Sequence, residues 1–267
     1  MLVVSRAGSG EPMVLVHGIG SNRQVWDRMR PALDSAFDVI ALDLPGFGDS
    51  PPLEPAKRTT FGLADAIEAE MDRQGLSDAH LVGNSMGGWI VLELARRGRA
   101  RTVTAISPVG GATRREARLS LPVLQAHRIG AKLAAPVADT LSKSSLVRRL
   151  TMSGQMTRPQ DVRPEAAAFA TRSLAACESW NELVHDIAQN NDLIENNASR
   201  LAEISAPVLI TWGRSDRVLP RSQGPRLQAA IPGSELRVLP GVGHVPMLDQ
   251  PDLMARIVVE HASAGRA

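Results

Sequence analysis

The sequence predicts an α/β protein: a mostly parallel, doubly wound sheet flanked by helices, with a helical segment inserted between two of its strands. Three observations lead there. Short apolar runs alternate with stretches of helical pattern along most of the 267 residues. Strands separated by helices form right-handed crossovers, and hence a parallel sheet covered on both faces. The unusual turns, rich in Gly, His and Asp, fall just past the ends of those runs, where such sheets keep their catalytic groups. The alternation stops between residues 112 and 197, which lack strand-like runs.

Taken in order, the strand-like runs are residues 13–16, 39–42, 80–82, 103–106, 208–212 and 236–239. Helical patterns lie around 24–33, 60–74, 88–97, 224–230 and 251–261. Only residues 2–4 offer an apolar run before the first clear strand. In the insertion, Leu121, Leu124, Leu133, Val137 and Leu141 recur at roughly helical steps, interrupted by Pro136. This gives a core of residues 1–111 and 198–267 carrying a helical cap of residues 112–197. The five positions are expected to form the cap's apolar inner face, while Arg114, Arg115, Arg118, Arg148 and Arg149 face solvent. Residues 113–158 hold nine Arg or Lys against Glu116 and Asp139, and 159–199 hold seven acids against Arg163 and Arg172. Solvated helix faces explain that asymmetry; a docking face for an anionic carrier or a membrane surface is the sharper alternative.

Composition narrows the function. The chain is 43% apolar, which suits a globular protein with a sizeable core. Four Phe, four Trp and no Tyr leave little for base stacking, and a net charge of +2 is not that of a polymer-binding protein, so no nucleic acid is expected. The single cysteine, Cys177, excludes an internal disulfide and a cysteine-rich metal site. No stretch approaches the ~18 apolar residues of a membrane span, and the amino terminus is too short an apolar run for a signal peptide. The expectation is a soluble cytoplasmic protein with neither metal nor cofactor, acting on a small molecule.

The chemistry is organised around Gly83-Asn84-Ser85-Met86-Gly87, which follows an apolar run and opens a helix. A serine there sits on a tight, strained turn that lifts its hydroxyl out of the sheet, and the following helix aims its free amides at the same spot. A serine hydroxyl needs a base, and the base needs a group to orient it. Of the six histidines only His17 and His244 lie just past strand ends. His17 opens a loop suited to supplying an oxyanion-hole amide, which leaves His244 as the base. Asp216 lies between serine and base in the chain and also past a strand end, so it is the expected orienting acid. The backbone N–H groups of Ile19 and Met86 are the expected oxyanion donors. Trp26, Val109, Leu124, Val137, Val218, Leu219 and Val245 are the expected apolar pocket, and Asp249 is expected to begin the last helix.

These motifs resemble those of the α/β-hydrolase family, in the branch with a single helical cap. The likeness rests on His17-Gly18-Ile19-Gly20, Asp43-Leu44-Pro45-Gly46-Phe47-Gly48-Asp49-Ser50, Gly83-Asn84-Ser85-Met86-Gly87-Gly88, Gly213-Arg214-Ser215-Asp216 and Gly243-His244-Val245-Pro246, and on the order Ser85…Asp216…His244. The resemblance implies eight strands, of which one or two are short or missing at the amino terminus. Serine at the elbow separates the chain from the epoxide hydrolases and haloalkane dehalogenases of the family, which attack with aspartate. Its carbon–carbon hydrolases often follow the His-Gly loop with Gly-Pro-Gly and place Trp after the histidine, where this chain has Ser21-Asn22 and Val245. Hydrolysis of a small carboxylic ester is therefore expected, with carbon–carbon hydrolysis, or ligand reception with slow turnover, as the alternatives.

Overall fold

The structure, a computed structural model, describes residues 1–188 and 194–265; residues 189–193, within the expected cap, lie outside the described residues. The described strands are β1 (Val4–Gly8), β2 (Pro12–Val16), β3 (Asp38–Leu42), β4 (Ala79–Asn84), β5 (Ala100–Ile106), β6 (Val208–Gly213) and β7 (Glu235–Leu239). They form one sheet in the order β1-β3-β2-β4-β5-β6-β7, with β1 antiparallel to β3 and every other pair parallel. The chain winds outward from β2 to β3, then returns past it to β4 and continues the other way. That reversal makes the gap between the ends of β2 and β4 the place where an open α/β sheet receives its ligand.

Strand β2 shows why the sheet is buried on both faces. Its alternate residues Val14 and Val16 enter one apolar cluster, whereas Met13 and Leu15 enter another. Helices α1 (Arg30–Asp34), α2 (Thr60–Arg73) and α3 (Met86–Arg96) are divided between these faces: α2 and α3 cover the first and α1 the second. A ten-residue helical pattern over 24–33 was expected, but Arg23–Trp26 is a 3₁₀ turn and only Arg30–Asp34 is α-helical. Strand β1 corrects the reading of the amino terminus. Its five residues are mostly exposed and carry no apolar alternation; only the hydrogen-bond ladder to β3 identifies it.

Between β5 and β6 the described elements are helical: α4 (Arg114–Ala134), α5 (Ala138–Leu141), α6 (Ser145–Met152), α7 (Pro164–Ala176), α8 (Trp180–Asp186) and α9 (Ile194–Leu201). The first of these begins in a capping box, where Thr113 and Glu116 satisfy each other's backbone amides. Glu116 also pairs with Arg226 of α10 (Gln223–Ala230), which fixes the start of the insertion to the core. The chain closes with α11 (Pro246–Asp249) and α12 (Pro251–Ala264) on the second face.

Helix α3 is buried from Met86 to Ala95, which forces its one acid, Glu93, to be neutralised locally. Burial raises the Glu93 carboxyl, but hydrogen bonds from Arg96, Arg97 and Arg200 outweigh it and bring the pKa down from 4.5 to about 2. A carboxyl depressed on folding contributes stability that is complete above pH 4.5 and is lost as pH falls toward 2. Glu93→Gln should therefore lower stability at neutral pH by about 3 kcal/mol and flatten the acid limb of a Tm-against-pH curve, as differential scanning calorimetry would show.

Candidate active site

Ser85 stands at the N-cap of α3 with φ 57° and ψ −119°, a conformation that side-chain-bearing residues rarely adopt and that costs about 1–3 kcal/mol. Close packing on either side of the turn holds it there. A Cβ on Gly83 would strike the Gly87 carbonyl, and one on Gly87 would strike the carbonyls of Val16 and His17. The Ser85 amide donates to Ile106 O (2.9 Å), and its carbonyl accepts from Val109 (3.2 Å) and Trp89 (3.2 Å). The end of β5 and the first turn of α3 thus fix the backbone, leaving the hydroxyl at the ligand crevice. As the first residue of α3, Met86 has an amide with no acceptor inside the helix.

His244 follows β7. Its Nδ1 donates to Asp216 Oδ2 at 2.8 Å, and the other carboxylate oxygen accepts the amides of Val218 (2.8 Å) and Leu219 (2.9 Å). Burial raises the Asp216 carboxyl, but the His244 charge and these hydrogen bonds overcome it, so the pKa lies below the usual aspartate value. The carboxylate is therefore held ionised where it can fix the imidazole tautomer, with Nε2 as the free acceptor. Asn84 joins the two halves of the site by donating through Nδ2 to His244 O (3.0 Å) and Ile106 O (3.1 Å). Ser85 and His244 both line the same cavity of about 400 Å³.

His17 is fully buried, and that burial lowers its pKa to about 4 against the raising effects of the Gly18 carbonyl and Asp43. Its neutral ring donates from Nδ1 to Gly18 O (2.8 Å) and accepts the Leu44 amide at Nε2 (3.0 Å), tying the loop after β2 to the loop after β3. Both ring nitrogens are thereby occupied in holding the loop that carries Ile19, which lines the cavity beside Ser85. Among the described residues no group of three or more His, Cys, Asp or Glu is arranged to hold a metal ion.

The expected pocket is partly met. Leu124, Val218 and Val245 line the cavity, and Val109 and Leu219 line a small recess of about 30 Å³ beside it, together with Ile19, Ser85 and Met86. Trp26 and Val137 do not line it. Trp26 is fully buried in the second core cluster, and Val25 takes the cavity position, because a 3₁₀ turn replaces the expected helix there. Val137 is 51% exposed, since the turn around Pro136 breaks the helical phase that linked it to Leu124. Leu133 is 77% exposed for a related reason. It lies on the same continuous helix as Leu124 but nine residues away, which at 3.6 residues per turn is the opposite face. Of the expected inner face, Leu124 and Leu141 line the cavity and Leu121 the recess.

Arg148 also departs from expectation, being buried rather than solvent-facing. Its guanidinium donates to the carbonyls of Ser142 (2.5 Å), Lys143 (3.2 Å) and Gln160 (2.8 Å). Carbonyl oxygens supply the partners that a search for opposite charges overlooks.

Asp249 departs from its expected place as well. It ends α11 instead of opening the last helix, and its carboxylate accepts the amides of Gly243 (2.7 Å), Thr157 (2.8 Å) and Arg158 (3.1 Å). Gln155 O accepts from the His244 amide (2.7 Å) and the Val245 amide (3.2 Å). The histidine loop is thus laced to residues 155–158 of the insertion. Asp249→Ala would strand three amides and let His244 drift, and misplacement on the 1 Å scale costs about 10²-fold in rate. The expected result is a kcat reduced by roughly that factor with a smaller change in KM, measurable by steady-state kinetics alongside a thermal melt. The only signal in the sequence was an acid five residues after the histidine.

Comparison with known proteins agrees with this fold. The profile of the alpha/beta hydrolase family matches residues 13–257. A 2-hydroxy-6-oxononadienedioate/2-hydroxy-6-oxononatrienedioate hydrolase of Pseudomonas putida is 29% identical over 257 residues, 94% of this chain and 87% of that protein. Epoxide hydrolase EphH of Mycobacterium tuberculosis is 34% identical over 204 residues, 73% of this chain and 91% of its own. Among solved structures, a thermophilic esterase from Thermogutta terrifontis superposes with a TM-score of 0.73 at 24% identity, covering 100% of this chain and 94% of that one, a likeness of fold. With the family profile spanning nearly the whole sheet and both ends of the serine–histidine site, the chain belongs to the alpha/beta hydrolase family.

Proposed function

We propose that the protein cleaves carboxylic esters of small to medium apolar substrates through a Ser85 acyl-enzyme. Ser85 Oγ attacks the carbonyl carbon while His244 Nε2 takes its proton, and Asp216 holds the imidazole and its developing charge. The amides of Met86 and Ile19 receive the oxyanion. Collapse breaks the ester C–O bond, the alcohol leaves with the proton from His244, and water repeats the sequence on the acyl group. The helical insertion acts as a cap whose inner residues exclude water from the carbonyl.

The observation that carries this reading is the wall of the cavity. Ser85 and His244 open onto a space lined by Leu124, Leu141, Met152, Leu174, Trp180 and Val245, and among the described residues no Arg, Lys, Asp or Glu lines it. Such a wall suits a neutral apolar acyl or alkyl group. A second reading, carbon–carbon hydrolysis by the same serine, is favoured by the Pseudomonas putida relative. That relative is named for a dioate, however, and among the described residues no Arg or Lys lines this wall to meet two carboxylates.

A panel of aryl esters of increasing acyl length, with a 2-hydroxy-6-oxodienoate alongside and the Ser85→Ala protein as control, separates these readings. Ester kcat/KM should exceed that for the dienoate and should depend on chain length. The reverse ranking supports carbon–carbon hydrolysis, and tight ligand binding with negligible turnover of either class supports a receptor.

A further inference from the structure

Ten large apolar side chains stand exposed among the described residues, and eight of them fall between residues 119 and 150. Concentrated exposure of this kind marks a contact surface. Helix α4 supplies Leu119 (66% exposed), Val123 (45%), Ile129 (59%) and Leu133 (77%), whose spacing places them along one side of a helix about 30 Å long. Its opposite side, with Ala117, Arg128 and Ala131 buried, packs against α7 and the body of the insertion. Helix α6 adds Leu146 (61%) and Leu150 (71%). Leu150 and Leu141 are both exposed and part of the cavity wall, so exposed apolar side chains of the insertion reach the cavity that holds Ser85.

The exposed charge left unpaired around these helices, among the described residues, is basic. Arg115, Arg118, Lys132, Lys143 and Arg149 are exposed. None of them reaches a carboxylate among the described residues; the two acids of residues 113–158, Glu116 and Asp139, pair with Arg226 and Arg172. A second copy of the chain applied to this face would bring cation against cation. Anionic lipid head groups would instead supply the missing counter-charge, while the acyl zone takes up the aliphatic side chains, the combination that holds amphipathic helices in an interface.

We propose that the outer face of α4 and α6 docks on the surface of a phospholipid bilayer containing anionic lipid, with the cavity mouth turned toward the acyl chains. Apolar substrates dissolved in the membrane would then reach Ser85 without crossing water. Docking itself is independent of which bond the site cleaves, so it stands or falls separately from the ester reading.

The test is co-sedimentation of the full chain with vesicles of phosphatidylcholine alone or mixed with phosphatidylglycerol, at low and high salt. Binding should be at least about tenfold tighter to the mixed vesicles and should weaken with salt. Arg118→Glu with Arg149→Glu should abolish that preference, and Leu119→Asp with Leu133→Asp should abolish binding to both, while hydrolysis of a water-soluble short-chain ester stays at the wild-type rate in each. Equal binding of wild type to the two vesicle types would overturn the proposal. So would a dimer in sedimentation velocity that is lost in the leucine variant and not displaced by mixed vesicles, which would make the face a self-association surface. Salt-sensitive binding to a small acidic carrier protein without binding to vesicles would overturn it too.

Discussion

Ser85→Ala is expected to lower kcat for a short-chain aryl ester by about 10⁵-fold or more without loss of fold. The backbone at this position is set by hydrogen bonds to Ile106 O, Val109 and Trp89 and by the packing of Gly83 and Gly87. Alanine keeps those restraints and the unfavourable φ, and removes only the hydroxyl. Melting temperature should stay within a few degrees of wild type, so that lost turnover reports lost chemistry. His244→Ala should cost a similar amount, and the double variant little more than either single one, because serine and histidine act as a unit. Turnover at the wild-type rate in Ser85→Ala would show that the elbow serine is not the nucleophile.

Asp216→Asn is expected to lower kcat by about 10⁴-fold, and the geometry says why so small a change matters. One carboxylate oxygen accepts the Val218 and Leu219 amides, so the asparagine must keep its oxygen there. The amide nitrogen then faces His244 Nδ1, 2.8 Å from the present Oδ2, and donates to it. That bond forces the ring proton onto Nε2, the atom that the proposed mechanism needs free to accept from Ser85. Nitrogen-15 chemical shifts of the ring should report the switched tautomer together with the kinetic loss. An asparagine variant with full activity would mean that Asp216 does not set the tautomer.

The parts of the site legible in the sequence are those that a strand end and a residue type define together. Ser85, Asp216 and His244 each follow an apolar run, and the parallel sheet brings such ends to one edge without further information. The Met86 amide is placed the same way, because an amide at the start of a helix needs no side chain to identify it.

What escaped depends on contacts that no period encodes. Strand β1 is an edge strand whose side chains are mostly exposed, so it lacks the apolar alternation by which strands are read. Val137 and Leu133 were assigned to the inner face by counting threes and fours across Pro136, whereas the helix before the proline already turns Leu124 and Leu133 to opposite sides. Arg148 satisfies its charge on carbonyl oxygens, and Asp249 satisfies its own on amides from two separate segments. Backbone partners of this kind have no letter in the sequence.

A covalent intermediate on Ser85 is detected by mixing enzyme with excess activated ester, quenching in acid within the first turnover, and weighing the peptides. The expected result is a burst of alcohol close to one equivalent and the mass of the acyl group on the peptide that carries Ser85, both absent from Ser85→Ala. Steady release of alcohol from the first turnover with no added mass on that peptide, under conditions where deacylation is slowed by low temperature, would contradict it.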